Sequence, residues 1–188
     1  MIRIYKFLSF VLSPPMIGFY VTIIFSLFSP IGLGPMNALS SIIIGTIFLV
    51  LVPFGAAYYF NKGDVNVDEK EDRVIPYLVG IVGYLVLSAI FWILGARVMF
   101  LISMSYLFVA SAVSIINIFW KISAHTAGTA GPITALVYVF GINLIPLYVL
   151  TLLAFWVRLK LKAHNVLQLL TGAVVAIFIT SMVYTILW

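Results

Sequence analysis

The 188 residues are 64% hydrophobic and 8% charged, with a net charge of +5 and no cysteine. An ordinary soluble domain is about 25% charged and has no interior large enough for this much apolar surface. That excludes a soluble enzyme, a disulfide scaffold and thiolate chemistry, and leaves a chain that buries itself in lipid. The apolar runs are long and do not alternate with period two, so the expectation is an all-α, polytopic transmembrane bundle and not a barrel.

Residues 1–14 place Arg3 and Lys6 ahead of an apolar stretch, and Ser13-Pro14-Pro15 follows with no small-x-small cleavage pattern. This reads as an interfacial N-terminal segment leading into a first span from about Pro15 to Ser29. Pro30, Gly32, Gly34 and Pro35 form an uncharged turn, and a second span runs from about Asn37 to Phe60. Residues 61–74 form the one strongly hydrophilic loop and hold all five acidic residues. A third span covers about Ile75 to Leu94, a tight Gly95-Ala96-Arg97 turn follows, and a fourth covers about Val98 to Phe119. Lys121 to Pro132 is small and polar. Gly131 to Val157 is apolar, Arg158 to His164 is basic, and a last span runs from about Val166 to Trp188. The chain reads as a single membrane domain, 1–188, of about six to seven spans.

The stretch from Thr126 to Val157 has two readings, one long helix or a hairpin turning at Gly141-Ile142-Asn143-Leu144-Ile145-Pro146. Glycine, asparagine and proline within six residues make good turn chemistry. With one helix, His125 and His164 lie on opposite membrane faces; with a hairpin they share a face.

Charges and histidines at span ends are few, and three groups stand out. Lys70 and Arg73 close the acidic loop, where snorkelling is the plain alternative. Lys121-Ile122-Ser123-Ala124-His125 precedes Ala127, Gly128, Ala130 and Gly131, small residues that permit close approach of a ligand or helix. Its plain alternative is a helix start with Ser123 as N-cap. Arg158, Lys160, Lys162 and His164 precede Gln168, and His164 and Gln168 share a helix face at i, i+4. Here the alternative is a basic loop resting on lipid headgroups. Two histidines among arginines and lysines suit phosphoryl transfer: one imidazole attacks phosphorus, the other protonates the leaving oxygen, and cations hold the oxygens. A zinc site needs a third ligand, and no carboxylate or cysteine is close in sequence to either histidine.

These residues resemble the type 2 phosphatidic acid phosphatase superfamily, integral-membrane lipid phosphatases. Its third motif, Ser-Arg-(five)-His-(three)-Asp, is matched by Val157-Arg158, five residues, His164, three residues, Gln168. The Pro-Ser-Gly-His motif is matched by Ile122-Ser123-Ala124-His125, and the lysine-arginine-proline motif loosely by Lys70, Arg73 and Pro76. The likeness covers roughly Asp64 to Gly172 and is that of a divergent, small prokaryotic-type member.

The resemblance implies that His164 is the nucleophile of a phosphohistidine intermediate and His125 the general acid. It implies phosphate binding by Lys70, Arg73, Ser123 and Arg158, to which the adjacent Lys121 adds charge. Gln168 replaces an aspartate: it accepts a hydrogen bond from imidazole but does not stabilise imidazolium as a carboxylate would. The resemblance also implies the hairpin, with its turn near Asn143. The expected function is hydrolysis of a phosphate or diphosphate of an isoprenoid or glycerolipid. Expected partners are that substrate and membrane lipids, with no nucleic acid, metal or cofactor.

On the hairpin reading, one face carries Arg3, Lys6, Lys62, Lys70, Arg73, Lys121, Arg158, Lys160 and Lys162, and the other carries Arg97. That asymmetry points to a multi-pass cell-membrane protein with a cytoplasmic site. Two other functions compete. Asp64, Asp68 and Asp72, spaced i, i+4, i+8, suit a magnesium-dependent prenyltransferase. Ser103, Ser105, Ser111, Ser114 and Asn117 in span four suit a non-catalytic membrane protein whose polar side chains join helices.

Overall fold

Helix starts and breaks follow the prolines and glycines. The computed structural model describes residues 2–61, 67 and 70–188. Lys62, Asp64 and Asp68 lie outside them, so of the proposed magnesium-binding aspartates only Asp72 is described. Helix α1 covers Ile2–Val11. Ser13 precedes two prolines and is extended (ψ 152°), as the residue before proline prefers. α2, Pro14–Phe28, begins on those prolines, which need no N–H in the first turn. The α1–α2 pair is bent by 44° at this point.

Asn37 caps α3 (Ala38–Thr46) by accepting the Ser40 N–H at 2.8 Å. The helix then widens into a π-turn over Ile47–Leu51 before α4, Val52–Phe60. The cause is local. Pro53 has no N–H to return to the preceding turn, and the Val52 N–H reaches back five residues to the Ile47 carbonyl. A 3-10 turn, Glu71–Arg73, leads into α5, Val74–Ile93. Gly95, at φ +66°, turns the chain into α6, Arg97–Phe119.

α7, Ala124–Phe140, ends at Gly141, whose φ of +101° stops the helix. A 3-10 segment, Ile142–Leu147, carries the chain into α8, Tyr148–Lys160, and α9 is Val166–Leu187. The hairpin is real. His125 in the first turn of α7 and Arg158 in the last turn of α8 bond the same hydroxyl, so the two helices are antiparallel. The Thr134 and Tyr148 hydroxyls, 2.7 Å apart, join them near the turn.

The described residues are helical, with no strand. Among the described residues five helices are long and apolar enough to cross a bilayer, or six when the bent α1–α2 pair is counted as one span. α7, whose 17 residues rise about 26 Å, is shorter than these and forms the other arm of the hairpin with α8. Lipid-facing side chains such as Ile93, Phe119 and Leu152 lie exposed on the outside.

α7 is the buried axis. Its Thr126–Leu136 stretch is enclosed almost completely, because alanine, glycine and threonine let neighbouring backbones come close. Gly172 of α9 is the tightest case: a Cβ there would lie 2.4 Å from the Ser123 carbonyl oxygen and 2.6 Å from Thr126 Oγ1. At Gly128 a Cβ would overlap the Pro14 ring at 2.5 Å. These contacts fix where the N-terminus of α7, with His125, sits against α9 and α2.

Candidate functional site

Three chain connections meet at one end of the bundle: the start of α5, the α6–α7 link and the α8–α9 turn. Hydrogen bonds lock them together. Arg73, buried, donates from Nε to the Val67 carbonyl (2.8 Å) and from Nη1 to the Ile122 carbonyl (2.9 Å) and Asn117 Oδ1 (3.4 Å). Asn117 in turn donates to the Lys70 carbonyl at 2.9 Å. One guanidinium therefore ties the α5 start to the α6–α7 link.

The α7 start is tied to α9. Ser123 N–H donates to the Gln168 carbonyl at 3.2 Å, and Thr126 Oγ1 donates to the Leu169 carbonyl at 2.8 Å. Ser123 Oγ accepts the Thr126 N–H at 3.3 Å, so this side chain serves as the N-cap of α7.

His164 lies in the α8–α9 turn and is buried. Asn165 and Gln168 form a capping box: Asn165 Oδ1 accepts the Gln168 N–H (2.9 Å) and Gln168 Oε1 accepts the Asn165 N–H (3.1 Å). Gln168 Oε1 also lies 3.2 Å from His164 Nδ1. That oxygen is an acceptor, so Nδ1 carries the proton and Nε2 keeps its lone pair. Burial, and then the positive charges of Arg73, Arg158 and Lys121, lower the His164 pKa to about 3, against the opposing effect of the Gln168 hydrogen bond. The ring is neutral at physiological pH, the form that can attack an electrophile.

Arg158, in the last turn of α8, is buried and donates from Nη1 to Ser9 Oγ at 3.1 Å. Ser9 Oγ also lies 3.2 Å from His125 Nε2. Arg73, His125, Arg158 and His164 all line one cavity of about 170 Å³. Its other walls are largely apolar: Pro53 and Phe54 of α4, Tyr84 of α5, and α6 from Val113 to Ile102, roughly 16 Å of helix rise. A polar, cationic end thus opens into an apolar interior.

Of the eight residues singled out from the sequence, these four share the cavity wall, and Gln168 stands behind His164. Ser123 is enclosed and occupied as a cap. Lys70 is not on the wall; its Nζ lies 3.5 Å from the Ile118 carbonyl and 3.8 Å from Glu71. Lys121 is also off the wall, although its charge acts on His164. Sequence reasoning missed Ser9 altogether and treated Asn117 as helix glue. Among the described residues no three His, Cys, Asp or Glu side chains stand together as metal ligands would. The convergent groups are cationic or neutral, a set suited to an anion. No protein-family model, curated protein or solved structure matches the chain.

Proposed function

We propose that the chain is a membrane-embedded lipid phosphatase of the type 2 phosphatidic acid phosphatase kind, hydrolysing a phosphate or diphosphate of an isoprenoid or glycerolipid. One observation carries the reading: two arginines and two histidines line one end of a cavity whose remaining walls are mostly apolar. A phosphate headgroup matches the first part and a hydrocarbon tail the second.

The chemistry follows from the residues. The Arg73 and Arg158 guanidiniums bind the non-bridging oxygens and offset charge as it develops. His164 Nε2 attacks phosphorus in line with the leaving oxygen. The P–O bond breaks, its electron pair stays on the leaving oxygen, and His125, protonated in the complex with the anionic substrate, supplies the proton. The product is a phosphohistidine and a free lipid alcohol, or a lipid monophosphate if the substrate is a diphosphate. His125, now neutral, takes a proton from water. The resulting hydroxide displaces His164 from phosphorus and releases inorganic phosphate. The positive-inside asymmetry supports the cytoplasmic face for this chemistry.

The test is phosphate release from a panel of isoprenoid and glycerolipid phosphates and diphosphates, with EDTA present. Wild type is expected to release phosphate and His164→Ala to fall to background. Undiminished turnover in the variant, or no release from any member of the panel, overturns the reading.

A further inference from the structure

Ser9 is polar, 1% exposed, and sits on α1, outside every motif that marks the site. Its hydroxyl oxygen lies 3.1 Å from Arg158 Nη1 and 3.2 Å from His125 Nε2. A guanidinium only donates, so Ser9 Oγ accepts from Arg158. A second lone pair and one proton remain for His125. The hydroxyl can donate to a bare ring nitrogen and accept from a protonated one, so the contact persists in both forms of the ring. An alanine at this position removes the hydroxyl and leaves His125 only its backbone hydrogen bond to residue 9.

The fold delivers this hydroxyl deliberately. The Tyr5 ring packs edge-on against Trp156 of α8 at 5.3 Å, and the 44° bend at Ser13 deflects α1 from the α2 axis, with Ser9 meeting His125 of α7 and Arg158 of α8. We propose, on the phosphatase reading, that Ser9 is the positioning residue of His125. It holds Nε2, which fixes the ring plane and leaves Nδ1 as the nitrogen that gives its proton to the leaving oxygen. In the imidazolium form Nε2–H donates to Ser9 Oγ, and that bond is kept while the Nδ1 proton moves. The atom balance is that of the first chemical step: one proton passes from Nδ1 to the leaving oxygen, and Ser9 gains and loses nothing.

A residue that acts through the general acid has a distinctive signature. Its loss is felt when the leaving group is a poor one, such as an alkoxide, and is hardly felt when it is a good one, such as a nitrophenolate, which departs without a proton. The experiment compares kcat/KM for a long-chain alkyl phosphate and for a nitrophenyl phosphate carrying the same chain, in wild type, Ser9→Ala, Ser9→Thr, His125→Ala and His164→Ala. Ser9→Ala is expected to lose roughly 10²-fold on the alkyl substrate, the lower end of what general acid catalysis supplies, and less than about 3-fold on the aryl one. His125→Ala should show the same selectivity more strongly, His164→Ala should lose both activities, and Ser9→Thr should recover most of the alkyl rate. Equal losses of Ser9→Ala on the two substrates, no loss on either, or a threonine variant no better than alanine overturns the role of Ser9 while leaving a working phosphatase. A wild type inactive on both substrates overturns the phosphatase reading, and this inference with it.

Discussion

The two ends of the bundle use arginine in opposite ways. Arg97 is exposed, and its guanidinium donates to the Leu187 and Trp188 carbonyls at the C-terminus of α9. It satisfies carbonyls that the last helical turn leaves without partners and complements the negative end of the helix dipole. Arg73 and Arg158 are 4% and 3% exposed and stand in a cavity wall with two imidazoles between helices. Burying a guanidinium is costly where lipid surrounds the fold; Arg73 bonds two carbonyls and the Asn117 side chain, and Arg158 bonds the Ser9 hydroxyl. The lesson is that charge at a span end does not mark a site. Depth, together with convergence of several groups on one cavity, does.

The strongest way to break this comparison is to truncate one arginine at each end. Arg158→Ala should lower kcat/KM on a lipid phosphate by roughly 10²- to 10³-fold, the cost of removing one preorganised oxyanion donor. Arg97→Ala should leave kcat/KM within about 2-fold and lower the melting temperature only slightly. Similar losses of activity in both variants would erase the distinction.

Packing gives the next largest effect. Gly172→Ala places a methyl against the Ser123 backbone, which has no flexible end to yield, so α7 and α9 must separate. The expected loss is about 1–3 kcal/mol of stability, with activity falling alongside because His125 rides on the first turn of α7 and His164 stands just before the N-cap of α9. Gly55→Ala on α4, where a Cβ would meet nothing within 4 Å, should be neutral or stabilising by about 0.5–1 kcal/mol. Thermal unfolding in detergent measures both.

Gln168→Glu should act more subtly. It keeps the capping-box acceptor but sets a carboxylate against His164 Nδ1, which favours the imidazolium and raises the pKa from about 3. The acid limb of the kcat/KM profile should move to higher pH by a unit or more. An unmoved limb would show that His164 does not govern it.

The last effect is on folding stability. The His164 pKa is about 3 in the fold and about 6.5 in the unfolded chain. Between those values the unfolded state binds the extra proton, so stability falls as pH drops from about 6.5 towards 3 and is fully present above that window. Melting temperatures at pH 7, 5.5 and 4 should show this slope, and His164→Ala should reduce it.

The spans were legible from hydropathy because lipid-facing helices carry their signal in every residue. Observed bounds such as Arg97–Phe119 and Val166–Leu187 lie within a residue of those read from the chain. The hairpin was legible as turn chemistry around Gly141 and Pro146, but not as a decision between a turn and a kink, which depends on long-range contact. The i, i+4 relation of His164 and Gln168 was legible, while the capping box that makes the glutamine oxygen an acceptor was not read. For Ser123 the plain reading, an N-cap, describes its side chain. Ser9 carried no local signal at all. A single serine in an apolar helix looks the same whether it bonds its own backbone or two partners 116 and 149 residues away.

That last separation sets a clock on biogenesis. Ser9 is made first, and Arg158 follows 149 residues later. At about 5–20 residues per second, the first helix waits roughly 7 to 30 s before the hydroxyl's final partner exists. During that interval the serine can satisfy itself on its own helix, as many serines in membrane helices do. The cationic end of the cavity is therefore closed late, by a helix already at the membrane, and each earlier stage of synthesis lacks it.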